Sequence, residues 1–171
     1  RLAYVDDEMS NSSQKEQTLA AAELDLIKKW AQVEISMRAD RSFRYANMDE
    51  NRNSILNPQI SNTITFSMAS DGMSGRLFSS RISNEIIYDS VQSANVNIPN
   101  TSRAGFEAVF ETQITPNLNF DGRYSNTRAK IESGSFNGKR VPDVPNIVCN
   151  FGFTWDIDDH QSTSFGTYYV S

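Results

Sequence analysis

Apolar residues recur at every second position through most of this chain, and no other feature narrows its fold as much. The stretch "NGKRVPDVPNIVCNFGFTW", Asn137 to Trp155, shows the pattern. Val141-Pro142 and Val144-Pro145 favour extended backbone and withhold amide donors, so a strand begins here from a loop. Ile147, Cys149, Phe151, Phe153, Trp155 and Ile157 then share one face, and Val148, Asn150, Gly152, Thr154 and Asp156 share the other. A strand alternates its side chains with a period of two, whereas a helix repeats about every 3.6 residues.

The same alternation runs along the chain. Ala31 to Arg44 sets Val33, Ile35, Met37, Ala39 and Phe43 against Glu34, Ser36, Arg38, Asp40 and Ser42. Gln59 to Ser70 sets Ile60, Ile64, Phe66 and Met68 against Ser61, Thr63, Thr65 and Ser67. Gly75 to Ser90 reads as one strand with Phe78, Ile82, Ile86 and Tyr88 opposing Ser79, Arg81, Ser83 and Glu85. Arg103 to Thr115 places Phe106, Ala108, Phe110 and Ile114 on the apolar side, and Asn117 to Arg128 adds Leu118, Phe120 and Tyr124. "TLAAAELDLIKKW" has the composition of a helix, but Glu23 and Asp25 alternate with Ala22, Leu24 and Leu26, which favours a strand. With Arg1 to Glu8 and Gln161 to Ser171, about nine strands are expected.

Short links (Lys28 to Gln32, Asp71 to Gly75, Thr115 to Leu118, Ile157 to Gln161) alternate with long polar ones. The long links are Ser10 to Thr18, Tyr45 to Pro58, Asp89 to Ser102 and Ala129 to Asn146. An antiparallel up-and-down meander with its short turns at one end produces that order.

A soluble sandwich also alternates. Here the polar sides are charged along much of their length, and the strands are longer than those of a typical sandwich. Hydrophobic residues make up 38% of the 171, and mean hydropathy is −0.51, low for a chain that must build a large dry core. A transmembrane barrel needs only one apolar side per strand, facing lipid around a polar lumen. Trp30 and Trp155 beside short turns suit an interfacial girdle, while Phe43, Tyr88, Phe106 and Tyr124 lie nearer the long loops. Asn62, Asn84 and Asn126 fall on the expected lipid side, Asn84 being the costliest. Arg41 and Arg76 fall there near strand ends, where they can snorkel. The expectation is an all-β, antiparallel up-and-down wall spanning residues 1–171. It is an incomplete, open part of a larger barrel, because the chain stops within a strand that follows a short turn.

Several segments together resemble the C-terminal barrel region of TonB-dependent outer-membrane receptors. "GFEAVFETQITPNLNFDGRYSNTRAKIESGSFNGKRVPDVPNIVCNFGFTW" is similar to their sequence from a Gly-aliphatic-Glu strand to a Val-Pro-x-Val-Pro loop end. "ILNPQISNTITF" resembles their Leu-x-Pro-Glu-x-Ser strand start, with Gln59 for the usual Glu. "RSFRYANMDE" resembles a Ser-Phe-Arg-x-Pro segment, with Tyr45-Ala46 replacing the proline, and "NEIIYD" resembles Asp-Glu-Ile-x-Tyr-Asp, with Asn84 for Asp. The resemblance covers Glu34 to Ser171. It implies a barrel of about 22 strands with a plugged lumen, in the bacterial cell outer membrane, taking up a scarce ligand. A ferric siderophore is the leading expectation, with cobalamin, haem or glycan as less common cargo. It also implies three partners besides outer-membrane lipid and ligand: a plug domain, a TonB-binding segment, both absent from this sequence, and TonB itself. A complete small outer-membrane barrel, structural or porin-like, is the alternative.

Chemistry offers little else. Net charge is −5 with no basic cluster, which argues against nucleic acid. One cysteine, Cys149, permits no internal disulfide or cysteine zinc site. No run approaches the length of a membrane helix. His160 lies in the turn "DDHQ" without partners for catalysis or metal, and "DDE" and "DIDD" lack EF-hand spacing. "DGMSG" lacks the lysine of a phosphate loop. No nucleophile–base–acid set occurs, so no enzyme, cofactor or metal site is expected, an outer-membrane lipase or protease barrel included. The charges Arg38, Asp40, Arg81, Glu85, Glu107, Glu111, Asp121 and Arg123 are expected to line the lumen as cross-strand ion pairs. A sharper reading brings Arg44, Tyr45, Arg52 and Tyr88, near the long loops, against an anionic chelate.

Overall fold

The computed structural model of the chain describes residues 2–5, 19–47, 49–51, 56–158 and 160–171. Eleven strands form in it: β1 (Leu2–Val5), β2 (Leu19–Trp30), β3 (Val33–Arg44), β4 (Gln59–Ser70), β5 (Met73–Ser83), β6 (Glu85–Asp89), β7 (Ala94–Ile98), β8 (Thr101–Thr115), β9 (Leu118–Ile131), β10 (Ile147–Asp158) and β11 (Gln161–Val170). Nine of them build one sheet in the order β1-β2-β3-β4-β5-β8-β9-β10-β11, while β6 and β7 pair separately. All pairs are antiparallel. Strands β1 and β11 are the two edges, so the sheet is open. The expected segments Asp6–Glu8 and Ser10–Thr18 lie outside the described residues.

"TLAAAELDLIKKW" is indeed extended: β2 pairs with β3 from Ala22↔Arg41 to Trp30↔Val33. Pairing overrides the helix propensity of its Ala, Leu and Lys residues. Two residues separate β2 from β3, β4 from β5, β8 from β9 and β10 from β11. Ala31 takes positive φ (51°) at the first position of its turn, the pattern that suits twisted strands, and Gly72 takes it (68°) at the second position of its own, where glycine is favoured. At Gly72 a Cβ would also lie 2.3 Å from the Glu111 carbonyl oxygen, so no larger residue fits.

Register fixes which side chains share a face, since directly paired residues point the same way. Ile35, Met68, Gly75, Ala108, Tyr124, Cys149 and Tyr169 form a single row across seven strands. Asp25, Arg38, Thr65, Phe78, Gly105 and Thr127 form a row on the opposite, polar face. The first face is exposed and apolar: Leu26, Met37, Phe66, Leu77 and Trp155 are 47–60% exposed. Aromatic rings pack along it over a bare backbone. Phe110 and Phe151 occupy the space where a Cβ on Gly122 would sit, and Phe120 stacks against Phe153 with ring centroids 4.6 Å apart. Such ring pairs contribute roughly 0.5–1.5 kcal/mol beyond area burial.

Strand β5 departs from the expected pattern in two ways. It ends at Ser83, and Asn84, at φ 55°, turns the chain off the sheet, so Gly75 to Ser90 is two strands in two sheets. Its faces are also reversed. Leu77 pairs with Phe66 and Arg81 with Asn62 on the apolar face, whereas Phe78 and Ile82 pair with Thr65 and Ser61 on the polar face. Arg76 is likewise polar-facing, opposite Glu107. Phe78 can turn inward because Gly105 opposite it leaves room for the ring: a Cβ there would lie 2.7 Å from it. Asn84 never meets the apolar surface, which removes the cost expected for it there.

The dry core is small and off-centre. Among the described residues the buried hydrophobics are Leu56, Ile82, Ile86, Ala129, Ile131 and Val141, all at the long-loop end. Segment 132–146 folds back on β9, with the Val141 amide donating to the Ala129 carbonyl (3.3 Å) and the Ile131 amide to the Lys139 carbonyl (2.9 Å). Val141, 3% exposed, thereby caps Ala129 and Ile131, with Ile98 and Val144 around them. A soluble sheet would place its core along the strands. Here the mid-strand apolar surface is left bare, as a sheet solvated by lipid requires.

Candidate functional site

On the polar face, carboxylates and cations meet across strands. Arg38 donates to Asp25 directly opposite (2.7 Å) and reaches Glu23 (3.5 Å). Lys29 pairs with Glu34 (2.9 Å), and Arg76 with Glu107 (2.7 Å), again as direct register partners. Asp40, Glu111, Asp121 and Arg123 share this face, as expected of lumen-lining charges. One residue expected there is elsewhere: Arg81 stands on the apolar face. Glu85 leaves the sheet at Asn84 for the β6–β7 hairpin, yet its carboxylate still meets the polar-face residues Thr101 and Arg103.

At the long-loop end three segments interlock. Buried Glu85 accepts the Thr101 hydroxyl (2.5 Å) and a guanidinium nitrogen of Arg103. The Gln59 side-chain oxygen accepts the Ile86 amide (3.2 Å), tying β6 to the start of β4. Asn97 accepts the Asn57 amide (2.7 Å) and donates to the carbonyls of Asn57 (3.0 Å) and Asn84 (2.8 Å). The hairpin is thus clamped to the β3–β4 loop by side chains that satisfy loop backbone groups which a sheet ladder would otherwise pair.

The same loop is locked at its other end. A single guanidinium nitrogen of Arg44, Nη1, donates to both carboxylate oxygens of Glu50 (2.9 and 2.8 Å), a charge-assisted contact. The Asn47 amide donates to Glu50 (2.9 Å), and the Glu50 amide donates back to the Asn47 side chain (2.8 Å). Partial burial raises the Glu50 carboxyl, but the Asn47 amide and the Arg44 cation outweigh it and hold the group below its ordinary value. Tyr45 lies half-buried, edge-on to Phe43 with centroids 5.7 Å apart. Tyr88 is 62% exposed on β6. Arg52 lies outside the described residues. Periodicity pointed to Arg44, Tyr45 and Tyr88 but not to the Asn97, Gln59 and Glu85 contacts, because these join segments distant in sequence.

The chain thus forms an open, antiparallel sheet with one bare apolar face, one ion-paired face, short turns at one end and locked loops at the other, and residues 25–171 of it match a known family. Those residues match the family described as "TonB dependent receptor-like, beta-barrel". The chain belongs to this TonB-dependent receptor family. It is a wall of an outer-membrane β-barrel, with its apolar face toward lipid and its polar face toward the lumen. Three solved structures share the fold. The copper transporter OprC aligns over 89% of this chain with a TM-score of 0.68 at 13% identity. The alcaligin outer-membrane receptor FauA from Bordetella pertussis aligns over 91%, at 0.65 and 16%. The ferric-catecholate import receptor Fiu from E. coli K12 aligns over 98%, at 0.63 and 14%. The chain spans 29–30% of the length of these proteins. No curated protein sequence matches it.

Proposed function

We propose that this wall belongs to a larger, plugged receptor barrel that imports a scarce ligand by coupling to TonB, and that the ligand is a ferric siderophore. The family match over residues 25–171 carries the reading. Two of the three similar structures are named for alcaligin and ferric catecholate, and the third for copper. Glu111 and Asp121, opposite one another on the lumenal face, have no cation among the described residues, which suits contact with a basic group on a plug. At the outer rim, Arg44, Tyr45 and Tyr88 offer a planar donor and rings that suit a chelate bearing carboxylate or catecholate groups, and Arg52, outside the described residues, carries a side chain of the same kind.

Binding of ferric catecholates, ferric hydroxamates, cobalamin and copper ion to the complete receptor tests this. One ferric chelate class is expected to bind, and Arg44→Ala and Tyr88→Ala each to weaken it by about tenfold, the scale of one charge-assisted hydrogen bond. Unchanged affinity in both variants removes these residues from the ligand surface. Saturable uptake of copper or cobalamin alone removes the siderophore assignment.

A further inference from the structure

The wall's charges sort by face, and on the lipid face they are one-sided. In the long-loop half of β3 to β9, the charged residues on that face are Arg41, Arg81, Arg128 and Lys130, with no Asp or Glu among them. Their placement is ordered. Arg41 stands opposite Asn62, Asn62 opposite Arg81, Arg81 opposite Ser102, and Ser102 opposite Lys130. Lys130 is bridged in turn to Arg140 of the folded-back segment. The result is a continuous row crossing five strands, with a cation on every second one. Strands lie about 4.8 Å apart, so the cations of this row recur about every 10 Å. One carboxylate enters the row: Glu132, just past β9, accepts the Ser102 hydroxyl. Among the described residues none of the row's cations makes an ion pair, whereas lumenal Arg38, Lys29 and Arg76 each meet a carboxylate.

A bare cation on a lipid-facing strand costs about 2–4 kcal/mol at mid-bilayer and about 0–1 near the interface. The row lies within a few residues of the long-loop end of each strand, outward of the apolar band of Met37, Phe66, Leu77 and Phe106. Four cations against this one carboxylate leave the row net positive, so the partner is external and anionic. With long loops outward, this rim meets the headgroups of the outer leaflet. Guanidinium groups pair with phosphate bidentately, and Asn62 and Ser102 add neutral polar groups between them. We propose that the row from Arg41 to Arg140 is a binding strip for the phosphate groups of outer-leaflet lipids.

The test is lipid retention by the complete detergent-purified receptor, read by native mass spectrometry. It compares a bis-phosphorylated glycolipid with its enzymatically dephosphorylated form. The phosphorylated lipid is expected to be retained at least about tenfold better, and added salt to weaken it. The Arg41→Gln/Arg81→Gln/Lys130→Gln variant should lose about a hundredfold at low salt, from roughly fivefold per basic side chain. Lys28→Gln, on the same face at the other end of the wall, should change nothing. Equal retention of the two lipids by the wild-type receptor overturns the proposal, since side chains that merely snorkel to water ignore the phosphate. Unchanged retention in the triple variant overturns it as well. Displacement of the lipid by millimolar inorganic phosphate also does so, by assigning the strip to a soluble anion. The two-lipid comparison on the wild type needs no variant and decides the question even where the triple variant does not assemble.

Discussion

The two faces of this sheet are built from the same strands by different rules. On the lipid face, Met37, Phe66, Leu77 and Phe106 stand in one row, and what matters is that they are apolar and cover area. On the lumenal face, neighbouring positions carry Arg38 against Asp25 and Arg76 against Glu107, where partner identity matters. The lipid face decides whether the sheet can sit in a membrane at all. The lumenal face adds little stability per contact, since exposed pairs contribute about 0–1 kcal/mol each, and it is free to specialise. Placement and recognition are thus divided between odd and even residues of each strand.

The largest effect should come from violating that division within one strand. Met37→Arg puts a charge in mid-strand on the lipid face, at an expected cost of about 2–4 kcal/mol. Ser36→Arg, one residue away, faces the lumen opposite Ile27 and Ser67, where the flanking cations Arg38, Lys29 and Arg76 are each already paired with a carboxylate. It should stay within about 0.5 kcal/mol of wild type. Urea unfolding of the complete receptor in vesicles measures both. Equal losses would mean that the two faces do not differ in their surroundings.

A second test addresses β5, where sequence and structure disagree. With Cys149→Ser removing this chain's one thiol, and the labelled site read by peptide mapping, Phe78→Cys should react with a water-soluble maleimide in the assembled receptor, and Leu77→Cys should be protected by lipid. The opposite outcome would restore the face assignment that periodicity alone suggests.

That disagreement shows how far a period can be read. Strands β3, β4, β8, β9 and β10 each carry one side that is apolar through its middle, so their faces follow from the sequence alone. In β5, Met73 and Leu77 fall on one side and Phe78 and Ile82 on the other, so both phases score alike. The register with Phe66 and the open space over Gly105 settle it, and both belong to neighbouring strands. Asn84 held a local clue, since Asn tolerates positive φ better than most residues and can end a strand. The alternation of long and short links was legible because it needs only counting. The rim contacts were not: Asn97 meets Asn57 across 40 residues, and Glu85 meets Arg103 across 18. No spacing rule joins residues that far apart. In "VPDVP" the prolines read as a loop end, but the part played by Val141, sealing Ala129 and Ile131, appears only once the loop folds back.

The smallest predicted effect lies at the rim, where the contrast between paired and unpaired charge can be titrated. Glu50 binds Arg44 and the Asn47 amide, and its carboxyl is held below the ordinary carboxylate value of about 4.3. A depressed folded-state value means that the ionised form stabilises the loop. That contribution is fully present above the ordinary value and is lost as pH falls through the depressed one. Amide exchange at Asn47 should therefore quicken, after correction for its intrinsic pH dependence, as the complete receptor is taken from pH 6 toward pH 3. Glu50→Gln cannot ionise, so its corrected exchange should be faster at pH 6 and flat across the same range. A wild-type receptor as flat as the variant would show that Arg44 is not committed to Glu50. Its guanidinium would then be available to a ligand, which ties the pH response of this loop directly to the question of what the rim binds.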